Sequence, residues 1–120
     1  MSPSRSYRDL IVWQKSMALT KKIYGFTRSF PKEETYGVTS QMRRAGISIA
    51  ANIAEGQARN TRGEFLQFLG IAQGSLAELE TLIMICENLG YLQKKTCEEL
   101  LIDCGEIGKL LAALKRSLRA

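Results

Sequence analysis

Helix-breaking residues are confined to a few places in this chain: there are only two prolines, Pro3 and Pro31. Between the stops, apolar residues recur at the three- and four-residue spacing that lines one face of a helix. The first stripe is Leu10, Trp13, Met17, Thr20, Tyr24 and Thr27, with Leu19 and Ile23 beside it and Lys15, Lys21 and Lys22 opposite. It predicts a helix over 7–29. Phe30-Pro31 ends it, because a residue before proline is pushed out of the α region. Glu33 and Glu34 then suit the positive end of a second helix over 33–56, which stops at Gly56. Thr61 and Glu64 have the spacing of a capping box and open a third helix over 62–88, with Leu89-Gly90 as its stop signal. Thr96 and Glu99 repeat that spacing near the start of a fourth, over 94–118, whose stripe is Leu100, Cys104, Ile107, Leu111, Leu114 and Leu118. Four long helices on short turns predict a single all-α domain over 1–120, an antiparallel up-down-up-down four-helix bundle.

With 120 residues there is room for one core and no second domain. Lysine and arginine total 17 against 12 acids, a formal charge of +5, and with no histidine that charge barely changes near neutrality. Nucleic acid and anionic surfaces are therefore candidate partners. Cys86, Cys97 and Cys104 have no paired CxxC spacing and no histidine to complete a metal site, so they are expected to be reduced structural thiols, with no metal and no cofactor bound. No signal-peptide core opens the sequence and no apolar run approaches the roughly 20 residues that cross a bilayer. A cytoplasmic protein without a membrane partner is expected.

Catalytic signatures are missing. Nucleophilic catalysis needs a base beside the nucleophile, and no histidine is present. There is no P-loop, dinucleotide fingerprint or HExxH motif. Glu78 and Glu80, two apart on a helix, cannot face each other. Gln73-Gly74-Ser75-Leu76-Ala77 lacks the glycine of a hydrolase elbow. No catalytic residue is assigned, and a non-enzymatic protein is expected.

Two helices look too apolar for an isolated bundle. On the second, Gln41, Arg44, Ser48, Asn52 and Glu55 gather into one polar strip of about 80°. Val38, Met42, Ala45, Ile49 and Ile53 fill one flank, and Ile47, Ala50 and Ala54 continue behind. Gly46 stands where alanine or a larger apolar residue suits a helix better. On the third, Gly70, Gly74, Ala77 and Thr81 share a face apart from the core stripe, and each mid-helix glycine costs about 1 kcal/mol relative to alanine. Either these small residues serve packing inside the monomer or another subunit approaches there. A symmetric homo-oligomer is the expectation. The polar strip would then specify helix register or a subunit contact, with a ligand-binding channel as the alternative.

Charge should be polarised. In such a bundle the N-terminus, the turn between the second and third helices and the C-terminus meet at one end. That end carries Arg5, Arg8, Arg59, Arg62, Lys115, Arg116 and Arg119 against Asp9, Glu55 and Glu64, seven against three. The opposite end has four bases against five acids. A basic pole of this kind attracts phosphates, and Tyr7 beside it could stack on bases. Basic residues at a helix C-terminus also answer the macrodipole without any ligand. The leading expectation is an RNA- or DNA-binding protein, RNA favoured. The alternative is a protein-interaction scaffold or adaptor.

The sequence also resembles a known family. The residues that carry the likeness are Phe30-Pro31 with Glu34, Tyr36-Gly37, Gln41-Met42-Arg43-Arg44-Ala45, Ser48-Ile49 and Ala51-Asn52-Ile53-Ala54-Glu55-Gly56. Ala72, Gly74-Ser75-Leu76, Glu78-Leu79-Glu80 and Leu89-Gly90-Tyr91-Leu92 continue it. They resemble the bacterial four-helix bundle proteins encoded in intervening sequences of large-subunit ribosomal RNA genes. The resemblance spans nearly the whole chain and implies a homo-oligomer, with a pentameric ring favoured. It also implies kinship to the accessory proteins of diversity-generating retroelements, which bind nucleic acid and a reverse transcriptase. It implies no reaction.

Overall fold

The computed structural model describes residues 6–120. Its helices are α1 (Ile11–Thr27), α2 (Val38–Gln57), α3 (Arg62–Asn88) and α4 (Lys94–Arg119). Each packs on its neighbours in sequence, and α1 closes on α4 to complete the bundle, 48 × 23 × 21 Å overall. No strand occurs among the described residues.

The third and fourth helices begin where expected, and the first two begin later. Leu10 is extended (φ −78°, ψ 124°) and splits the first segment into a single 3-10 turn, Tyr7–Asp9, followed by α1. Ser6 caps that turn by accepting from the Arg8 amide at 3.1 Å. The second segment opens with another 3-10 turn, Lys32–Glu34, and α2 proper starts only at Val38. There Glu34 Oε1 accepts the Val38 amide at 3.4 Å, giving the helix start an acceptor from outside its first turn. The predicted cap at Thr96 is not used. Helix α4 begins at Lys94 as expected, with Gln93 extended as its N-cap and no side-chain cap bond. Thr61 does cap α3, accepting the Glu64 amide at 3.1 Å. The return partner differs from a standard capping box, since Glu64 Oε1 accepts from the threonine hydroxyl at 3.1 Å rather than from its amide.

Glycine is required where α3 ends. Gly90 has φ +81°, and with it the Tyr91 amide reaches Cys86 O (2.9 Å) and the Gly90 amide reaches Glu87 O (3.0 Å). These are the two bonds of a Schellman end. The turn is pinned to the α1–α2 connection: the Tyr91 ring packs on Phe30 with centroids 5.4 Å apart, and its hydroxyl donates to Glu34 Oε2 at 2.9 Å. That bond to a carboxylate holds the Tyr91 phenol above its ordinary pKa. At this end, two separated stretches of the recognised residue pattern meet.

The core is built from the predicted stripes. Leu19 and Ile23 of α1 meet Met42, Ile49 and Ile53 of α2, Leu69, Leu79 and Ile83 of α3, and Leu100, Ile107 and Leu111 of α4. Each such side chain contributes about 1.5–3 kcal/mol by leaving water. Helix α3 is long and apolar enough, by composition alone, to cross a bilayer, yet it supplies seven buried residues to this core and carries Glu78 and Glu80 at mid-length.

All three cysteines lie inside, and burial pushes their thiols up, Cys86 to about 11 and Cys104 to about 12. Their thiolate forms are therefore scarce at pH 8. In native protein at that pH, a thiol-disulfide reagent such as DTNB is expected to give no release over the time in which a guanidinium-denatured sample titrates all three. Rapid reaction of any one of them in the folded state would contradict the packing described here.

Candidate nucleic-acid interface

The connection between α2 and α3 forms the centre of the basic end. Gly56 lets α3 cross at close range: a Cβ added there would sit 2.7 Å from Phe68 Cβ and 3.0 Å from Phe65 Cδ1. Phe68 in turn carries Arg59, whose guanidinium lies 4.8 Å from the ring centroid. The same guanidinium pairs with Glu55 at 2.9 Å and Glu64 at 3.9 Å. Arg59 therefore closes the turn, and its charge is largely answered within the chain.

The other expected phosphate ligands fall into three groups. Lys115, half-buried, donates to Gln73 Oε1 at 2.9 Å and lies over Gly70, where its Nζ would be 4.0 Å from an added Cβ. Arg8, Arg62, Arg116 and Arg119 are exposed and make no ion pair among the described residues. Arg5 lies outside the described residues. Arg116 and Arg119 occupy the last turn of α4, where a positive charge is stabilised by the helix dipole with or without a ligand. Arg62 opens α3, where the same dipole disfavours a cation, so helix electrostatics do not account for it.

The polar strip of α2 is only partly a network. Asn52 Nδ2 donates to Ser48 O (2.8 Å) and Ser48 Oγ (2.9 Å), and Ser48 Oγ shares a hydrogen bond of 2.8 Å with Ser75 Oγ of α3. These three residues set the register of the α2–α3 pair. Gln41 and Arg44 are exposed and stand apart from them, lining with Ser48 and Glu78 an open groove of about 460 Å³. Arg44 and Glu78 make no ion pair across it. Glu55 belongs instead to the Arg59 turn.

Much of the broad apolar arc of α2 is covered within one bundle, by α1 on one side and α3 on the other. Gly46 packs closely on the α1 side, where a Cβ would sit 3.2 Å from Thr20 Oγ1 and press it back by a few tenths of an ångström. What remains open is Ile47, 47% exposed, with Ala51 beside it. On α3, nothing lies within 4 Å of a Cβ added to Gly74, and Ile71 and Ile85 on the same stripe are 47% and 41% exposed. Packing inside the monomer thus explains Gly46 and leaves Gly74 unexplained.

One cationic site was not anticipated. The helical pattern gives Arg43 no role of its own, yet its Nε donates to the buried Thr27 Oγ1 at 2.9 Å and its guanidinium lies 4.5 Å from the Tyr24 centroid. The signal was present in the sequence, since Tyr24 and Thr27 share the α1 stripe, but only the α1–α2 register shows which residue of α2 faces them.

Among known proteins, the family model described as 23S rRNA-intervening sequence protein matches residues 8–113. The chain is also similar to a solved protein of unknown function from the S23 ribosomal protein family of Bacteroides thetaiotaomicron. The two are 28% identical, with a TM-score of 0.79, over 88% of this chain and 98% of that one. No curated protein matches this sequence.

Proposed function

The chain belongs to the 23S rRNA-intervening sequence protein family, and from the arrangement of its charges we propose that it is a non-enzymatic, cytoplasmic, homo-oligomeric bundle that binds nucleic acid, RNA favoured, through its basic end. The observation that supports this is the convergence of Arg8, Arg62, Arg116 and Arg119. They come from three separate parts of the chain, are exposed at one pole, and have no carboxylate partner among the described residues. Arginines placed in this way hold phosphates and set orientation without reading sequence. Repetition of the pole around an oligomer, a ring of five being the form the resemblance favours, would add the fields of several subunits. The open stripe of Ile71, Gly74 and Ile85 on α3 supports a subunit contact.

Fluorescence anisotropy with structured RNA, single-stranded RNA and duplex DNA tests the binding. About four phosphate contacts per site predict a loss of affinity of roughly 50- to 150-fold between 50 and 200 mM salt. No anisotropy change with any of the three at low salt would end this reading. Partner capture that survives nuclease treatment would instead favour a scaffold. Light scattering tests the assembly separately, and a mass near 13.4 kDa at micromolar concentration would rule it out.

A further inference from the structure

The outer seam between α1 and α2 is open and apolar. Tyr7, Trp13, Met17, Ile47, Ala51 and Ala54 are among the residues lining a groove of about 350 Å³. Its aromatic end lies at the basic pole, where Tyr7 meets Trp13 edge to face, centroids 5.2 Å apart, and the Arg8 guanidinium lies 5.7 Å from the Tyr7 centroid. Along the same stripe of α1, about 16 Å further by helical rise, comes Tyr24 with Arg43 stacked upon it. Arg43 is held there by Thr27 and is a fixed cation, not a wandering one.

The charge of the two helices is one-sided. Helix α1 contains no acidic residue and α2 contains only Glu55, against Lys15, Lys21, Lys22, Arg43 and Arg44. Lys15 and Lys22 turn away to Glu106 and Asp103 of α4, at 3.3 and 2.7 Å, and Glu55 is taken by Arg59. On the seam itself this leaves Arg8 at one end and Arg43 at the other. Lys21 stands beside it, one turn from both Met17 and Tyr24.

We infer that this seam is a track for single-stranded nucleic acid: unstacked bases enter the apolar groove against Trp13 and Tyr7, while the backbone phosphates run from Arg8 to Lys21 and Arg43. The inference rests on the basic-end reading and adds to it a preference for single strands. A duplex keeps its bases stacked inside and can offer the groove only phosphates and sugars, whereas a single strand presents the faces that aromatic rings bind. Arginine guanidinium planes already stacked on tyrosine extend the same kind of surface.

Trp13 is the only tryptophan, so its emission reports this groove alone. The protein is titrated with a labelled 12-nucleotide oligo-U RNA, oligo-dT DNA of equal length and an RNA duplex, following Trp13 emission and the label's anisotropy together. Quenching of Trp13 in step with single-strand binding is expected, at a Kd at least tenfold below that of the duplex. Trp13→Leu and, separately, Arg43→Gln should each weaken single-strand binding about tenfold and leave the duplex unchanged. Equal binding by oligo-U and oligo-dT supports stacking as the source; a strong excess for oligo-U adds recognition of the 2′-hydroxyl to the same track. If anisotropy rises equally for single strand and duplex while Trp13 emission stays constant, the track is wrong and the basic end stands. If no probe binds, both fall. If Met17→Glu turns an oligomer into monomers and Trp13 responds to protein concentration but not to RNA, the groove belongs to a second copy of the chain and the inference is overturned.

Discussion

Gly56→Ala is expected to lower the melting temperature by about 8 °C. The added carbon would stand 2.7 Å from Phe68 Cβ and 3.4 Å from Phe65 O, atoms that cannot move without the start of α3 moving with them. Overpacking costs about 1–3 kcal/mol, and contact with a Cβ and a backbone oxygen puts this case at the upper end. About 1 kcal/mol returns through the helix propensity of alanine, leaving a net loss near 2 kcal/mol. At about 4 °C per kcal/mol for a domain of this size, that gives the stated shift. Gly105→Ala, in the middle of α4, is the matched control: with nothing within 4 Å, the same propensity should raise the melting temperature by about 4 °C. Thermal unfolding by circular dichroism measures both. An unchanged melting temperature for Gly56→Ala would mean that the α2–α3 crossing is looser than described.

The second large effect concerns binding. The triple variant Arg62→Gln, Arg116→Gln, Arg119→Gln is expected to lose RNA affinity by on the order of a hundredfold at low salt and to reduce the slope of log K against log salt by about 2 to 3. Glutamine is chosen because glutamate near the end of α4 would oppose the helix dipole and confuse binding with stability. All three side chains are exposed, so the melting temperature should stay within a few degrees of the parent. Arg59→Gln should change the slope much less, because Glu55 and Glu64 already answer that charge. An Arg59 variant as damaging as the triple would show that the turn, and not the open arginines, meets the phosphates.

The basic end and the α1–α2 seam carry different parts of the proposed interaction. In that proposal, charge at the pole governs how strongly salt weakens binding, and the seam governs whether bases are engaged at all. A helix pair with five cations and one acid packs against an α3 that carries a single arginine and four glutamates, so positive charge is concentrated on one side of the bundle as well as at one end. This sidedness is hidden in the formal charge of +5.

Periodicity and stop signals determined the elements. The extents of α3 and the ends at Gly56 and Gly90 were legible because apolar spacing and cap chemistry are local properties, set within a few residues. The starts at Ile11 and Val38, which have no side-chain cap of their own, were misplaced because their satisfaction comes from an extended Leu10 and a Glu34 folded back from an earlier turn; the start at Lys94 was legible, although its N-cap is an extended Gln93 and Thr96 caps nothing. The list of cations at the basic end also followed from helix order alone, since alternate chain directions must bring those termini together.

Which cations are left open was decided only in three dimensions. Arg59 and Lys115 read in the sequence like Arg62 and Arg116, and they differ because Glu55, Glu64 and Gln73 are brought against the first two. Arg43 gained its place over Tyr24, and Gly46 its reason, from the α1–α2 crossing. A helix face is a property of one segment's order of residues, whereas a neighbour across a seam depends on the angle and register at which two segments meet. Those follow from packing the whole core at once.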